Sequence, residues 1–148
     1  MNEGPYVYKR RVAFHETDCM GVVHHSNHIK YFEEARVDWL RTKGLTGLHI
    51  PQGPCVFAVV DVTCEYMNTA KFDDELTVVL QGRMEGLRMF FEYAIWSEPK
   101  STWIAKGRTT LVALDAALRI ARPPREVTET FAQENWSETW PPTAPPHP

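Results

Sequence analysis

Two patterns and one turn predict an α+β fold for this chain. Apolar residues recur every three to four positions over one long stretch, between about Asn27 and Lys43. Four β-favouring runs follow, at residues 56–66, 75–85, 88–97 and 102–114. Glu85-Gly86-Leu87 leaves room only for a hairpin between two of them, so the strands run antiparallel. A helix with a single apolar stripe needs a sheet to bury it, and these strands supply one.

The elements follow in order. Residues 6–14 carry β-favouring side chains and form a first strand, which ends in His15-Glu16-Thr17-Asp18. Gly21 supplies a tight turn, and Ser26 or Asn27 caps the helix that runs to about Lys43. Within that helix Ile29, Phe32, Ala35 or Arg36, and Trp39 or Leu40 form the buried stripe, while Lys30, Glu34 and Arg41 face water. Gly44 stops it. Segment 46–55, with Pro51, Gly53 and Pro54, is a loop. Residues 56–66 alternate apolar and polar as a half-buried strand does. A short helix is expected over residues 125–134. Beyond Trp136 the run WPPTAPPHP lacks ladder donors and an apolar period, so residues 1–135 are expected to form one domain and 136–148 a Pro-rich mobile tail.

Composition narrows the function classes. A length of 148 residues with 43% hydrophobic content suits one packed core. A formal charge of -3 gives no global attraction to nucleic acid, which is not expected as a partner. Three cysteines, Cys19, Cys55 and Cys64, make no CxxC pair and leave an odd thiol, which argues against a disulfide framework and for a reducing, cytoplasmic setting. The first residues have no apolar leader, and no run reaches the 18 or so apolar residues of an integral membrane segment.

Chemistry-bearing residues concentrate between Val12 and Arg36. Asp18 lies shortly before a helix start, where unpaired backbone N–H groups and the helix dipole suit a developing oxyanion. An isolated aspartate here could equally cap the turn ahead of Gly21. His15, His24, His25, His28, Glu16 and Glu33 raise a metal site, but HHxxH is not a helical ligand pair and no cysteine cluster completes it, so no metal is expected. Cys19 is read as a spectator thiol.

The run Asp18-Cys19-Met20-Gly21-Val22-Val23-His24-His25, leading into a helix with Glu33 and Arg36, resembles the hotdog-fold 4-hydroxybenzoyl-CoA thioesterase family, in particular its YbgC-like branch. Tyr66-Met67-Asn68-Thr69-Ala70 with Asp73-Asp74-Glu75-Leu76 is similar to that family's Y-x-x-P-A-x-x-x-D-x-L segment, and the likeness ends at Arg122-Pro123. Thr69 stands where proline is usual and His24 where an aromatic is common.

The resemblance implies an antiparallel sheet wrapped around one long central helix, and hydrolysis of acyl-CoA to free acid and coenzyme A without a cofactor. Asp18 is then general base or nucleophile, the His25 backbone N–H the oxyanion donor, and Gly21 the turn that lets them meet. His24 is expected against the acyl group. Arg88, Arg119 and Arg122, with Lys106 and Arg108, are candidates for the phosphates of coenzyme A. A sheet edge left open on a lone domain implies a homodimer or homotetramer. Two rivals stand beside this reading: a thioesterase for acyl-carrier-protein substrates, and a non-catalytic domain that binds acyl-CoA.

Overall fold

A computed structural model of the chain describes residues 4–45 and 55–146. The elements are β1 (Tyr6–Arg11), a 3-10 turn (Phe14–Glu16), α1 (His25–Thr42), β2 (Val56–Tyr66), β3 (Glu75–Glu85), β4 (Arg88–Ser97), β5 (Thr102–Leu114), β6 (Ile120–Ala121) and α2 (Arg125–Ala132). Of the loop expected at 46–55, residues 46–54 lie outside the described residues. All strand pairs are antiparallel in the order β1-β3-β4-β5-β2, with β6 added to the end of β5. This is the hotdog arrangement, with α1 against one face of the curved sheet.

Packing explains the α1 register. Tyr31, Phe32, Ala35, Arg36, Trp39 and Leu40 are buried together with Asn27 and His28. Ile29, expected in the stripe, is 38% exposed, and in the first turns of α1 Asn27, His28 and Tyr31 are buried instead. Phe32 stacks on Tyr93 with centroids 4.6 Å apart, and Trp39 meets Phe91 edge-on at 5.4 Å. Rings buried this way contribute about 1.5–3 kcal/mol each. The close fit depends on Gly107, where an added Cβ would lie 2.2 Å from the Thr63 carbonyl oxygen and 2.7 Å from the Phe32 ring. Glycine lets helix and sheet meet at that point.

Arg36 and Glu34 take partners outside the helix, whereas Arg41 pairs with its helical neighbour Asp38 at 3.1 Å. Arg36 is buried and donates to the Tyr93 hydroxyl at 3.0 Å, which adjoins Thr109 Oγ1 at 2.6 Å. Glu34, expected to be solvated, accepts from Arg10 Nη1 at 2.9 Å through each of its two oxygens. Tertiary partners here outweigh the weak i,i+4 pairs of an isolated helix.

The C-terminal segment differs from the mobile tail expected of its prolines. Ser137 exchanges two hydrogen bonds of 2.9 Å with the Gln81 amide. Trp140 Nε1 donates to the Tyr93 carbonyl at 3.2 Å, and Trp103 Nε1 donates to the Pro142 carbonyl at 3.0 Å. Arg83 lies over the Trp136 ring at 4.9 Å. Proline cannot donate to a ladder, but docking through indole rings and carbonyl acceptors needs no ladder. The segment therefore covers the sheet face opposite α1, where Val79 and Ala94 are buried.

β2 is the terminal strand of the sheet, and its outer edge has no neighbour among the described residues. Val59, Val60, Val62, Tyr66 and Met67 are each 42–49% exposed along it. An edge this long and apolar is the surface that natural sheets normally cover.

Candidate active site

The loop between β1 and α1 is folded on itself. Asp18 N–H donates to the Val22 carbonyl at 2.8 Å, Gly21 N–H donates back to the Asp18 carbonyl at 2.9 Å, and Thr17 bridges Val23. Gly21 has φ of 81°, the left-handed conformation that closes this turn without a Cβ penalty. Val23 N–H then reaches the Ala70 carbonyl at 2.8 Å and Val22 bridges Lys71, which ties the loop to the segment leading into β3.

Asp18 fulfils the turn-capping role and keeps one oxygen spare. Its Oδ1 accepts from Met20 N–H at 2.8 Å and Val22 N–H at 3.4 Å. Its Oδ2 has no hydrogen bond among the described residues. The side chain is half-buried, and one of its two oxygens is held by the turn.

His24 is the helix N-cap, in place of Ser26 or Asn27. Its Nδ1 accepts from Ser26 N–H at 3.2 Å and lies 2.8 Å from Ser26 Oγ. A ring nitrogen thus takes the place of the usual side-chain oxygen. Asn27 is instead buried, with Nδ2 donating to the Glu16 carbonyl at 2.8 Å. His25 is the first residue of α1, and its backbone N–H has no acceptor within the helix. Its ring lies beside that of His24, centroids 4.1 Å apart, and makes no hydrogen bond to Asp18.

The His25 peptide is held from several sides. His24 N–H donates to the Glu16 carbonyl at 2.9 Å, the His24 carbonyl accepts from Asn27 N–H at 2.9 Å, and the His25 carbonyl accepts the Tyr66 hydroxyl at 2.7 Å. Shielding of that hydroxyl, then the adjacent Cys64 thiol, pushes the Tyr66 pKa up to about 12, so it stays a donor. His28 meets the Tyr66 ring edge-on at 4.9 Å, and burial holds its imidazole pKa below the usual value. A fixed amide aimed outward from a helix N-terminus is suited to a carbonyl oxygen that gains charge.

The structure brings Asp18, Gly21, His24 and His25 together and leaves Arg88, Arg119 and Arg122 elsewhere. Arg88 opens β4 opposite Val112, and Arg119 precedes β6, both near the Val56 end of β2, whereas the Asp18 loop lies at the Tyr66 end. Eleven residues of β2 separate the two ends by about 30 Å. A groove of about 280 Å³ lined by Glu65, Glu92, Lys106, Arg108 and Trp140 lies on the face away from α1, not at Asp18. Among the described residues no group of three His, Cys, Asp or Glu could hold a metal ion. Cys19 is exposed, Cys55 buried and Cys64 half-buried, and none of the three is in a disulfide among the described residues. No described helix is long and apolar enough to cross a membrane.

Tyr66, Asn27 and Glu16 carry functions that the linear pattern does not single out. Tyr66 reads as a strand residue, and only its distance to a backbone carbonyl 41 positions away reveals its task. Asn27 reads as a cap, and Glu16 enters only as a member of the metal-site cluster that the spacing disfavours.

On this hotdog sheet a half-buried carboxylate with a spare oxygen lies on the loop that leads into a helix start with an unpaired amide. Residues 12–131 match the family described as the thioesterase-like superfamily, and the chain belongs to that family as a thioester hydrolase. An Aquifex aeolicus protein that carries an esterase name is 36% identical over 130 residues, which span 86% of this chain and 98% of that one. The acyl-CoA thioesterase YbgC of Haemophilus influenzae is 26% identical over 134 residues, covering 88% of this chain and 97% of its own. In fold, the 1,4-dihydroxy-2-naphthoyl-CoA thioesterase of Synechocystis aligns with a TM-score of 0.81 at 22% identity, over 88% of this chain and 97% of that one.

Proposed function

We propose that this chain hydrolyses acyl-CoA to a free carboxylic acid and coenzyme A, with Asp18 as the reacting carboxylate. The observation that carries the reading is the spare Oδ2 of Asp18, on a turn whose return strand leads into the unpaired amide of His25. In the general-base route Oδ2 takes a proton from water as the oxygen attacks the thioester carbonyl, and the His25 N–H holds the oxyanion. In the nucleophilic route Oδ2 itself attacks, and water then opens the mixed anhydride. In both routes the sulfur leaves as a thiolate, whose pKa near the ~8.5 of a free thiol asks little of a general acid.

The site is completed by a second copy of the chain. Antiparallel pairing of two β2 edges would cover the exposed Val59, Val60 and Val62. It would also bring the Val56 end of one copy beside the Tyr66 end of the other. Arg88, Arg119 and Arg122 of the second copy then stand near the Asp18 of the first, where coenzyme A phosphates need cations. His24, exposed at the cap, flanks the acyl group. Three cysteines outside any disulfide among the described residues fit a cytoplasmic setting for this chemistry.

The test is thiol release from short, long and aromatic acyl-CoAs by the native chain and by Asp18→Asn. Turnover on at least one substrate, abolished by the substitution, is the expected result. Equal turnover in both removes Asp18 from the mechanism. Tight binding with no turnover on any thioester returns the protein to the binding-only reading.

A further inference from the structure

We infer that Glu16 is a positioning residue that sets the spacing between the Asp18 carboxylate and the His25 amide, an inference that rests on the thioesterase reading of those two groups. The Glu16 side chain is buried, and its Oε1 alone accepts from Arg10 Nη2 at 2.7 Å, Ala13 N–H at 2.8 Å and the Tyr31 hydroxyl at 2.9 Å. Its backbone carbonyl accepts from His24 N–H at 2.9 Å and Asn27 Nδ2 at 2.8 Å. One residue thus ties together the end of β1, the 3-10 turn, the cap of α1 and the second turn of α1. Asp18 hangs two residues beyond it on one side, and His25 adjoins the cap on the other.

The surroundings make an acid at this position specific. Arg10 is largely enclosed, with Glu16 on one side and Glu34 on the other at 2.9 Å, and its guanidinium lies 4.1 Å from the centre of the Tyr31 ring. Burial of that cation is offset by two carboxylates, and only Glu16 also bonds the loop through its backbone. Alanine at 16 would leave three donors without their acceptor. Glutamine keeps Oε1 and loses only the charge. Tyr31 reinforces the arrangement, because burial followed by the Glu16 bond holds its phenol well above the usual pKa, so it donates at every working pH.

The loop carries one reacting group and the helix start the other, so relaxing their common anchor separates them. Misplacement by about 1 Å can cost on the order of 100-fold in rate. Glu16→Ala is therefore expected to lower kcat about 100-fold while KM for acyl-CoA stays within about threefold. Glu16→Gln should recover kcat to within about tenfold of native, and Glu129→Gln, on the exposed face of α2, serves as the unaffected control. Amide hydrogen exchange gives a second readout, independent of turnover. In Glu16→Ala the His24 and Asn27 amides should exchange faster while β3 and β4 stay protected. Should the alanine variant fail to fold, Glu16→Gln carries both readouts, with a smaller kcat loss at unchanged KM.

A loss carried by KM, glutamine no better than alanine, or faster exchange throughout β3 and β4 overturns the assignment. A native chain without turnover on any acyl thioester refutes the thioesterase reading instead. Positioning by Glu16 is then decided by exchange alone, and unchanged rates at His24 and Asn27 overturn it.

Discussion

At Asp18 the observed turn cap and the proposed reacting carboxylate share one side chain, and a single substitution separates them. Asparagine keeps an Oδ1 that accepts from Met20 and Val22, so the turn survives, but it has no carboxylate to take a proton or attack. Asp18→Asn is expected to cut turnover by about 10²- to 10⁴-fold, with unfolding free energy within about 0.5 kcal/mol of native, as read by steady-state kinetics and urea titration. Comparable losses in both would mean that the residue serves the turn alone. The candidate site was legible in the sequence as far as neighbours along the chain define it: Asp18, Gly21 and the helix start fall within ten residues. Glu16, Asn27 and Tyr66 were not, since their partners lie across the fold or on backbone atoms that carry no sequence signature. His24 shows the same limit, because its ring nitrogen caps a helix that serine or asparagine at the next positions promised to cap.

The four long strands from β2 to β5 emerge at the bounds that alternation and turn chemistry predict, because each such run is closed by turn residues. What alternation omits is the cover. β2 has a half-buried pattern but lies at an edge, and the face of β3 and β4 away from α1 is covered by a segment whose composition suggests none. Close approach is likewise invisible in one dimension: Gly107 appears as an ordinary strand glycine. Gly107→Ala should destabilise the fold by about 1–3 kcal/mol or more, measured by urea unfolding, since its Cβ meets the Thr63 carbonyl and the Phe32 ring. A native-like midpoint would mean that α1 can lift from the sheet at little cost. His28 adds a pH dependence between α1 and β2. Burial lowers its folded pKa, so the unfolded chain binds the extra proton near pH 6, and the stability it contributes is full above about 6.5 and lost as pH falls through the folded value. Unfolding free energy should therefore drop from pH 7 toward pH 5, by at most about 1.4 kcal/mol per pH unit from this group. His28→Phe should flatten that part of the profile; an unchanged slope would assign the titration elsewhere.

For the whole molecule, the polarity of β2 decides which residues share a site. If two copies pair through that edge, a mixed dimer of Asp18→Asn with Arg119→Glu/Arg122→Glu contains one site with native aspartate and native arginines. Such a preparation should regain about half of native kcat at native KM for acyl-CoA, whereas each variant alone stays impaired. A mixed dimer with the raised KM of the arginine variant would place the cations in the same copy as their aspartate. The assay itself meets one further property of the molecule. Cys19 stands exposed one residue beyond Asp18, while Cys55 is buried and Cys64 half-covered. A chromogenic disulfide that counts liberated coenzyme A will therefore also titrate the enzyme, adding an early signal proportional to protein rather than to product. It will hang a bulky adduct at the mouth of the site as it does so. A Cys19→Ser background, or a readout at the thioester absorbance, keeps the catalyst intact while it is being watched.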